Sequence, residues 1–240
     1  MLDIPRLQEA AATCGLTVDD ALAQQLDDYA RLLAEWNQKM NLTAITDPEG
    51  VAVKHFVDSL TVAPLLPPGP ISLIDVGTGA GFPGVPLALL RGDIHLTLLD
   101  SLQKRLTFLE TLCGELGISV TLIHARAEEA ARRPGLRERF DVATARAVAA
   151  LPVLCEYCLP FVRRGGRMIA MKGPDAAAEL AAAQKAITQL GGRAETPLPV
   201  TLPAVGEEAP ARRVLLPIQK ISTTPAVYPR PSAKIAKHPL

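Results

Sequence analysis

The stretch LIDVGTGAGFPG, residues 73–84, constrains the fold more than any other part of the chain. An apolar run closes on Asp75, and the backbone is then nearly bare through Gly77, Gly79 and Gly81 before an apolar helical pattern begins. A strand running through a glycine bend into a helix is the first unit of an open α/β sheet, with its ligand beyond the strand end. The rest of the sequence repeats that rhythm. ISLIDVG is followed by a helix over about 84–91, IHLTLLD by one over about 102–116, FDVATARA by the helix carrying Cys155, and GGRMIAMKG by an Ala-rich helix over about 175–190. SVTLIHA is a further strand, followed by a short charged stretch. Strands alternating with helices specify a parallel sheet covered on both faces. ETPLPVTLPAV and RRVLLPIQKI have no helix between them, so they are expected to pair antiparallel at a sheet edge. The expected fold is α/β and Rossmann-like: a mostly parallel seven-stranded sheet, helices on both faces, and a helical extension at the amino terminus.

That extension occupies residues 1–68. Asp3 caps a first helix that stops at Cys14-Gly15, and Thr17-Val-Asp-Asp20 reads as a capping box. Leu22, Leu26, Tyr29, Leu32, Leu33, Trp36 and Met40 then recur at helical spacing, and a third helix over 49–66 ends at the Pro67-Pro68-Gly69-Pro70 turn. The sheet domain spans 69–222, and a basic, Pro-rich tail spans 223–240.

Charge limits the partners. The chain is formally neutral, yet residues 1–50 hold nine acids and three bases, a charge of −6 that leaves +6 on the remainder. Any nucleic acid must be held by local patches rather than by bulk charge. No apolar run reaches the roughly 18 residues of a membrane span, and no basic-then-apolar leader opens the chain, so we expect a cytoplasmic protein with reduced thiols and no membrane contact. Cys155 and Cys158 have metal-site spacing but no second pair, and they sit in an apolar helix. They read as small core residues, and no metal is expected.

Three ligands compete for the glycine bend. A P-loop requires Lys followed by Ser or Thr after its last glycine, and none is present. A dinucleotide fits the spacing Gly79-x-Gly81-x-x-Gly84, but Asp75 beside a pyrophosphate is repulsive and Phe82-Pro83-Gly84-Val85-Pro86 crowds the helix opening. S-adenosylmethionine lacks phosphate, carries a cationic amino group and a sulfonium, and presents two ribose hydroxyls. Asp75 suits its positive end, and Asp100, which ends the second strand, suits the hydroxyls. After the third strand, a backbone amide and an acid within Arg126-Ala127-Glu128-Glu129 can meet an adenine ring, and Arg146 ends the fourth strand on the same rim.

Further motifs place the chain in a family. Trp36-Asn-Gln-Lys-Met-Asn-Leu-Thr43, Lys54-His-Phe-Val-Asp-Ser-Leu60, the GFPG-x-P loop, Asp100-Ser101 with Lys104-Arg105, RAEE, ATARAVA, and the ending Lys220, Thr224-Pro225, Tyr228-Pro229-Arg230, Lys237 and Pro239-Leu240 together resemble the bacterial small-subunit ribosomal RNA methyltransferase G family, also called glucose-inhibited division protein B. The resemblance covers about residues 30–240. Ala233 and Ile235 stand where that family commonly places Gly and Pro. The resemblance implies a class I methyltransferase fold and methyl transfer from S-adenosylmethionine to N7 of a guanosine in 16S ribosomal RNA. It marks Gly77, Phe82, Ala127, Glu128 and Arg146 as cofactor contacts. From the residues themselves we add Asp75, Gly79, Gly81, Asp100 and Ser101.

Guanine N7 has an in-plane lone pair and no proton to lose, so the reaction needs alignment more than a general base, and the sequence offers no nucleophile–base pair at the rim. No catalytic side chain is assigned. RNA contacts are expected from Lys54 and His55 on the helical extension, Lys172 after the fifth strand, and Arg230 and Lys237 in the tail. The expected partner is structured RNA, either 16S rRNA or the small ribosomal subunit, and the expected state is a monomer. Two other readings stay open from residues alone: a methyltransferase for small molecules or protein, and a non-catalytic cofactor-binding RNA chaperone.

Overall fold

The computed structural model describes all 240 residues. Eight strands form one sheet: β1 (Ile71–Val76), β2 (Ile94–Asp100), β3 (Val120–His124), β4 (Phe140–Arg146), β5 (Val162–Lys172), β6 (Gly192–Ala194), β7 (Leu198–Leu202) and β8 (Ala211–Lys220). The order is β3-β2-β1-β4-β5-β8-β6, with β7 also on β8. Strands β1 to β5 are parallel, and β8 pairs antiparallel with β5. Leu215 pairs with Met171 of β5 and Leu198 of β7, while Ile218 pairs with Met168 of β5 and Ala194 of β6. β6 and β7 therefore share the edge of β8 that faces away from β5, as two halves of one strand interrupted near Thr196-Pro197. The expected seven strand positions are present, with the seventh split. Order reverses between β1 and β4, which places the ligand edge above their carboxyl ends.

The amino-terminal helices are α1 (Ile4–Thr13), α2 (Asp20–Met40) and α3, whose pieces run Pro48–Gly50, Val51–Val57 and Asp58–Leu60. The middle piece of α3 is π-helical, a form that often marks functional sites. Asp3 caps α1 as expected, but Thr17 does not cap α2: Asp19 does, accepting from the Leu22 amide at 2.8 Å. Asp sits one residue from the helix start, where its short carboxylate reaches the orphan amide. The sheet helices are α4 (Gly84–Leu90), α5 (Gln103–Glu115), α6 (Ala127–Ala130), α7 (Leu151–Cys158) and α8 (Ala176–Gln189).

Two apolar clusters flank the sheet. One joins Leu7, Leu26, Tyr29 and Leu33 of the extension to Leu73, Val85, Leu98 and Leu109 of the sheet domain. The extension thus shares the core of one sheet face. The second cluster holds Cys155 and Cys158, both fully buried, among Ile74, Leu154, Phe161 and Ile187. No helix is long and apolar enough to cross a membrane.

The tail ends in α9 (Ser232–Lys237), anchored by buried Ile235 where Pro was expected from the family pattern. Buried Lys220 donates to the Leu159 carbonyl at 2.8 Å and to Thr224 Oγ1 at 2.6 Å, and pairs with Glu138 at 3.0 Å. Arg137 donates to the carbonyls of Thr224 and Tyr228, and Arg132 to that of Pro229. Arg230, expected at RNA, instead closes on fully buried Glu156, with Nη2 to Oε2 at 2.6 Å. A buried carboxylate demands a partner, and the nearest guanidinium is the one the tail delivers. Lys237 remains exposed.

Candidate functional site

Two clefts meet on the ligand edge. The first, of about 280 Å³, is lined by Val76, Gly77, Leu99, Asp100, Ser101, Arg105, Ala125, Arg126, Ala127, Glu128, Ala147, Val148 and Tyr157. It lies over the ends of β1, β2 and β3. Gly77 has φ +71°, and a Cβ there would come within 2.8 Å of Val148 Cγ2. Only glycine both accepts that conformation and keeps the floor open. Gly81 (φ +101°) is bare for another reason: a Cβ would meet the Tyr29 hydroxyl at 2.5 Å, and that hydroxyl donates to the Ala80 carbonyl. The loop therefore rests on α2 of the extension.

Asp100 is 2% exposed. Its Oδ1 accepts from the Leu102 amide at 2.9 Å, and its Oδ2 accepts from the Gly79 amide at 3.0 Å and from Arg105 at 3.2 Å. Glu128, 7% exposed, stands at the start of α6, where the first amides have no partner within the helix. An acid and free amides side by side can meet an amino-purine edge. Gly77, Asp100, Ser101, Ala127 and Glu128 are brought together as expected.

Asp75 is not in the cleft. It is fully buried beneath the loop, where Oδ2 accepts from Thr78 at 2.7 Å and from the Gly84 amide at 3.1 Å, and Oδ1 accepts from Thr144 at 3.3 Å. Burial pushes its carboxyl up to about 6. Its work is to tie the loop to the start of α4 and to β4, so the expected repulsion of a pyrophosphate at the entrance has no basis in its position. Gly79 and Gly81 shape the loop without lining the cleft. Phe82 is also elsewhere: it stacks on Tyr29 at 5.2 Å and on His55 at 4.6 Å, under the Arg146 guanidinium at 4.9 Å.

The second cleft, of about 390 Å³, is lined by Ile45, Lys54, His55, Asp58, Arg146, Ala147, Met171, Lys172, Gly173 and Arg213. It borders the first at Ala147, which lines both. Here Lys54, His55 and Lys172 come together as expected, and with them Arg146, which was expected at the cofactor but lines this cleft instead. Arg146 donates to the Lys54 carbonyl and to Asp58 Oδ2, both at 3.0 Å, and to His55 Nδ1 at 3.3 Å. Because Nδ1 accepts from a guanidinium, His55 carries its proton on Nε2 and donates to Thr43 Oγ1 at 2.7 Å. Burial, with Arg146 beside it, lowers His55 to about 4, so the ring is neutral at pH 7. Lys54 pairs with exposed Glu208, and Lys172 with Glu179, each at 2.7 Å.

The sequence reading missed Asp58 and Arg213 in this cleft, and Arg105, Arg126 and Tyr157 in the other. Asp58 had a signal, since it lies within Lys54-His-Phe-Val-Asp-Ser-Leu60, and Arg105 lay in a quoted motif; Arg213 read only as part of a strand.

A profile described as rRNA small subunit methyltransferase G matches residues 22–201. The Ribosomal RNA small subunit methyltransferase G of Acetivibrio thermocellus is 45% identical over 235 residues, covering 98% of this chain and 95% of that one. The protein of the same name from Alkaliphilus oremlandii is 47% identical over 238 residues, covering 98% and 97%. Among solved structures, a branched-chain polyamine synthase mutein from Thermus thermophilus superposes with TM-score 0.59 at 14% identity, covering 82% of this chain and 64% of that one. TrmN from the same organism gives 0.52 at 18% identity, covering 69% and 48%. These structures share the fold. By the match along most of its length and the identity across nearly all of it, the chain belongs to the rRNA small subunit methyltransferase G family.

Proposed function

We propose that this protein transfers a methyl group from S-adenosylmethionine to N7 of a guanosine in 16S rRNA, acting as a cytoplasmic monomer on the small subunit or its precursor. The observation that carries this reading is the junction at Ala147. There a glycine-floored cleft that holds Asp100 and Glu128, with Arg105 and Arg126, borders one lined by Lys54, Arg146, Lys172 and Arg213. The first offers Asp100 and Glu128 to hydroxyl and amino donors. The second offers cations to an RNA backbone. The curated relatives are named as small-subunit ribosomal RNA methyltransferases.

The residues fit the cofactor chemically. Asp100 would hold the ribose hydroxyls, Glu128 and the Ala127 amide the adenine edge, and Gly77 leaves room for the chain beside it. The bound group supplies a methyl on a cationic sulfur. The protein's own contribution is alignment. Phe82, Tyr29 and His55 form a rigid stack beneath Arg146, so the cleft wall is already ordered when substrate arrives. Positioning of this kind is worth roughly 7–11 kcal/mol in favourable cases. His55, neutral and engaged through both ring nitrogens, braces Arg146 and takes no proton. The target must leave its stack to reach the junction.

Small subunits, naked 16S rRNA and protein fractions from cells lacking this protein, incubated with methyl-labelled S-adenosylmethionine, test the reading. Label on guanosine N7 of the small-subunit RNA is the expected outcome. Label only in protein or small molecules, or cofactor binding without transfer, contradicts it.

A further inference from the structure

Asp58 Oδ1 is the one buried side-chain polar atom in the molecule that has no hydrogen-bond partner. Asp58 is 3% exposed. Its Oδ2 is occupied by Arg146 at 3.0 Å, whereas the group facing Oδ1 is Arg213 Nε at 3.6 Å, too long for a hydrogen bond. Native proteins rarely leave a buried acceptor unmade, because its desolvation costs about 1–3 kcal/mol with nothing in return. The orphan oxygen belongs to a residue that lines the cation-rich cleft, beside the junction with the cofactor cleft.

We propose that Asp58 reads the substrate base: with the Arg213 guanidinium displaced from Oδ1, that oxygen and the free lone pair of Oδ2 accept from N1–H and the exocyclic amino group of guanine. The inference rests on the methyltransferase reading above and deepens it. Phosphate recognition alone does not explain Asp58, since a carboxylate among Lys54, Arg146, Lys172 and Arg213 repels an anion. Two adjacent donors on one edge distinguish guanine from the other RNA bases. Adenine offers a lone pair at N1, and uracil flanks its single N–H with two carbonyls, so each would set an acceptor against the carboxylate. The cleft volume of about 390 Å³ falls within the roughly 300–1,000 Å³ of small-ligand sites.

The edge also fixes the reacting atom. N7 lies across the purine from N1 and the amino group. A guanine held at Asp58 therefore turns N7 away from Asp58, and the same cleft reaches Ala147, which also lines the cofactor cleft. In the transfer, the N7 lone pair forms the new N–CH₃ bond as the S–CH₃ bond breaks with its electron pair to sulfur. The positive charge passes to the purine and no proton moves. That charge makes N1–H a stronger donor, so the hydrogen bond to Asp58 strengthens on the way to the transition state. Asp58 is a positioning and specificity residue that takes no proton.

The test uses small subunits reconstituted with 16S rRNA carrying either guanosine or inosine at the methylated position, since inosine keeps N1–H and lacks the amino group. The wild-type protein is expected to methylate guanosine subunits about 10–100-fold faster than inosine subunits. Asp58→Asn is nearly isosteric and places an amide donor where Oδ1 accepted. It is expected to lose most of that preference and to bind S-adenosylmethionine as the wild type does in a titration. Arg213→Met, which removes the ion facing Oδ1, is expected to keep the preference. Equal wild-type rates on the two substrates overturn the inference, as does an intact preference in Asp58→Asn or a preference lost only in Arg213→Met. If the wild type methylates neither subunit, the functional reading itself has failed.

Discussion

The two clefts that meet at Ala147 are built from opposite materials. The cofactor cleft is built around the ends of β1, β2 and β3, with Gly77 as floor, Asp100 and Glu128 as fixed acceptors, and Arg105, Arg126 and Tyr157 in its wall. The basic cleft is made of long side chains drawn from α3, β4, β5 and β8, each already paired: Arg146 with Asp58, Lys54 with Glu208, Lys172 with Glu179. A small ligand of constant shape suits a pocket fixed by local sequence. An RNA needs cations that are held in place and can still exchange one oxygen partner for another, which the partly exposed carboxylates of Glu208 and Glu179 allow for Lys54 and Lys172, whereas Arg146 is fixed on buried Asp58.

Removing Arg146 should break the comparison most severely. Arg146→Ala leaves the buried Asp58 carboxylate without its close partner, and we expect a loss of about 3–5 kcal/mol in urea unfolding. S-adenosylmethionine binding should survive wherever the variant is folded, because Arg146 lines only the basic cleft. Loss of cofactor affinity in the folded variant would show that the clefts are not separable.

Titration sets two buried groups against each other, His55 in the wall of the basic cleft and Asp75 beneath the glycine loop. His55 is lowered to about 4, so its contribution to stability falls as pH drops from 6.5 toward 4. Asp75 is raised to about 6, so its contribution rises as pH drops through 6 toward its unfolded value near 4. Each is on the order of 3 kcal/mol, with opposite sign. Asp75→Asn should expose the His55 loss in acid, and His55→Asn the Asp75 gain. Matching pH profiles for the two variants would contradict both assignments.

Gly77→Val sharpens the comparison from the other side. It forces a side chain into a φ of +71° and against Val148. S-adenosylmethionine affinity should fall about 100-fold, roughly 2.7 kcal/mol, with small-subunit binding unchanged. The smallest effect belongs to the tail: Lys237→Ala should leave stability unaltered and reduce the salt slope of small-subunit binding by at most about one.

The same contrast explains what could be read from sequence. Strand-to-helix alternation and strand-end residues are local, so the sheet, the glycine bend, Asp100 and Glu128 were legible. The direction of a strand-end side chain is not local. Asp75 faces beneath the loop because Thr78, Thr144 and the Gly84 amide all converge there. Phe82 was expected at the cofactor but is held in a stack by Tyr29 and His55, from helices that the glycine motif does not reveal. Arg230 looked like a free tail cation until fully buried Glu156, 74 residues away in sequence, required it. Asp58 and Arg213 meet only because β8 lies next to β5. The split of the last edge strand depends on a break near Thr196-Pro197 that reads as an ordinary loop.

Calorimetric titration of the purified protein with S-adenosylmethionine, S-adenosylhomocysteine and NADH tests most directly whether the Gly77 cleft is made for a phosphate-free adenosyl ligand. Saturable one-to-one binding of the first two, in competition with each other, and no heat from NADH are expected. Saturation by NADH with displacement of S-adenosylmethionine would contradict it.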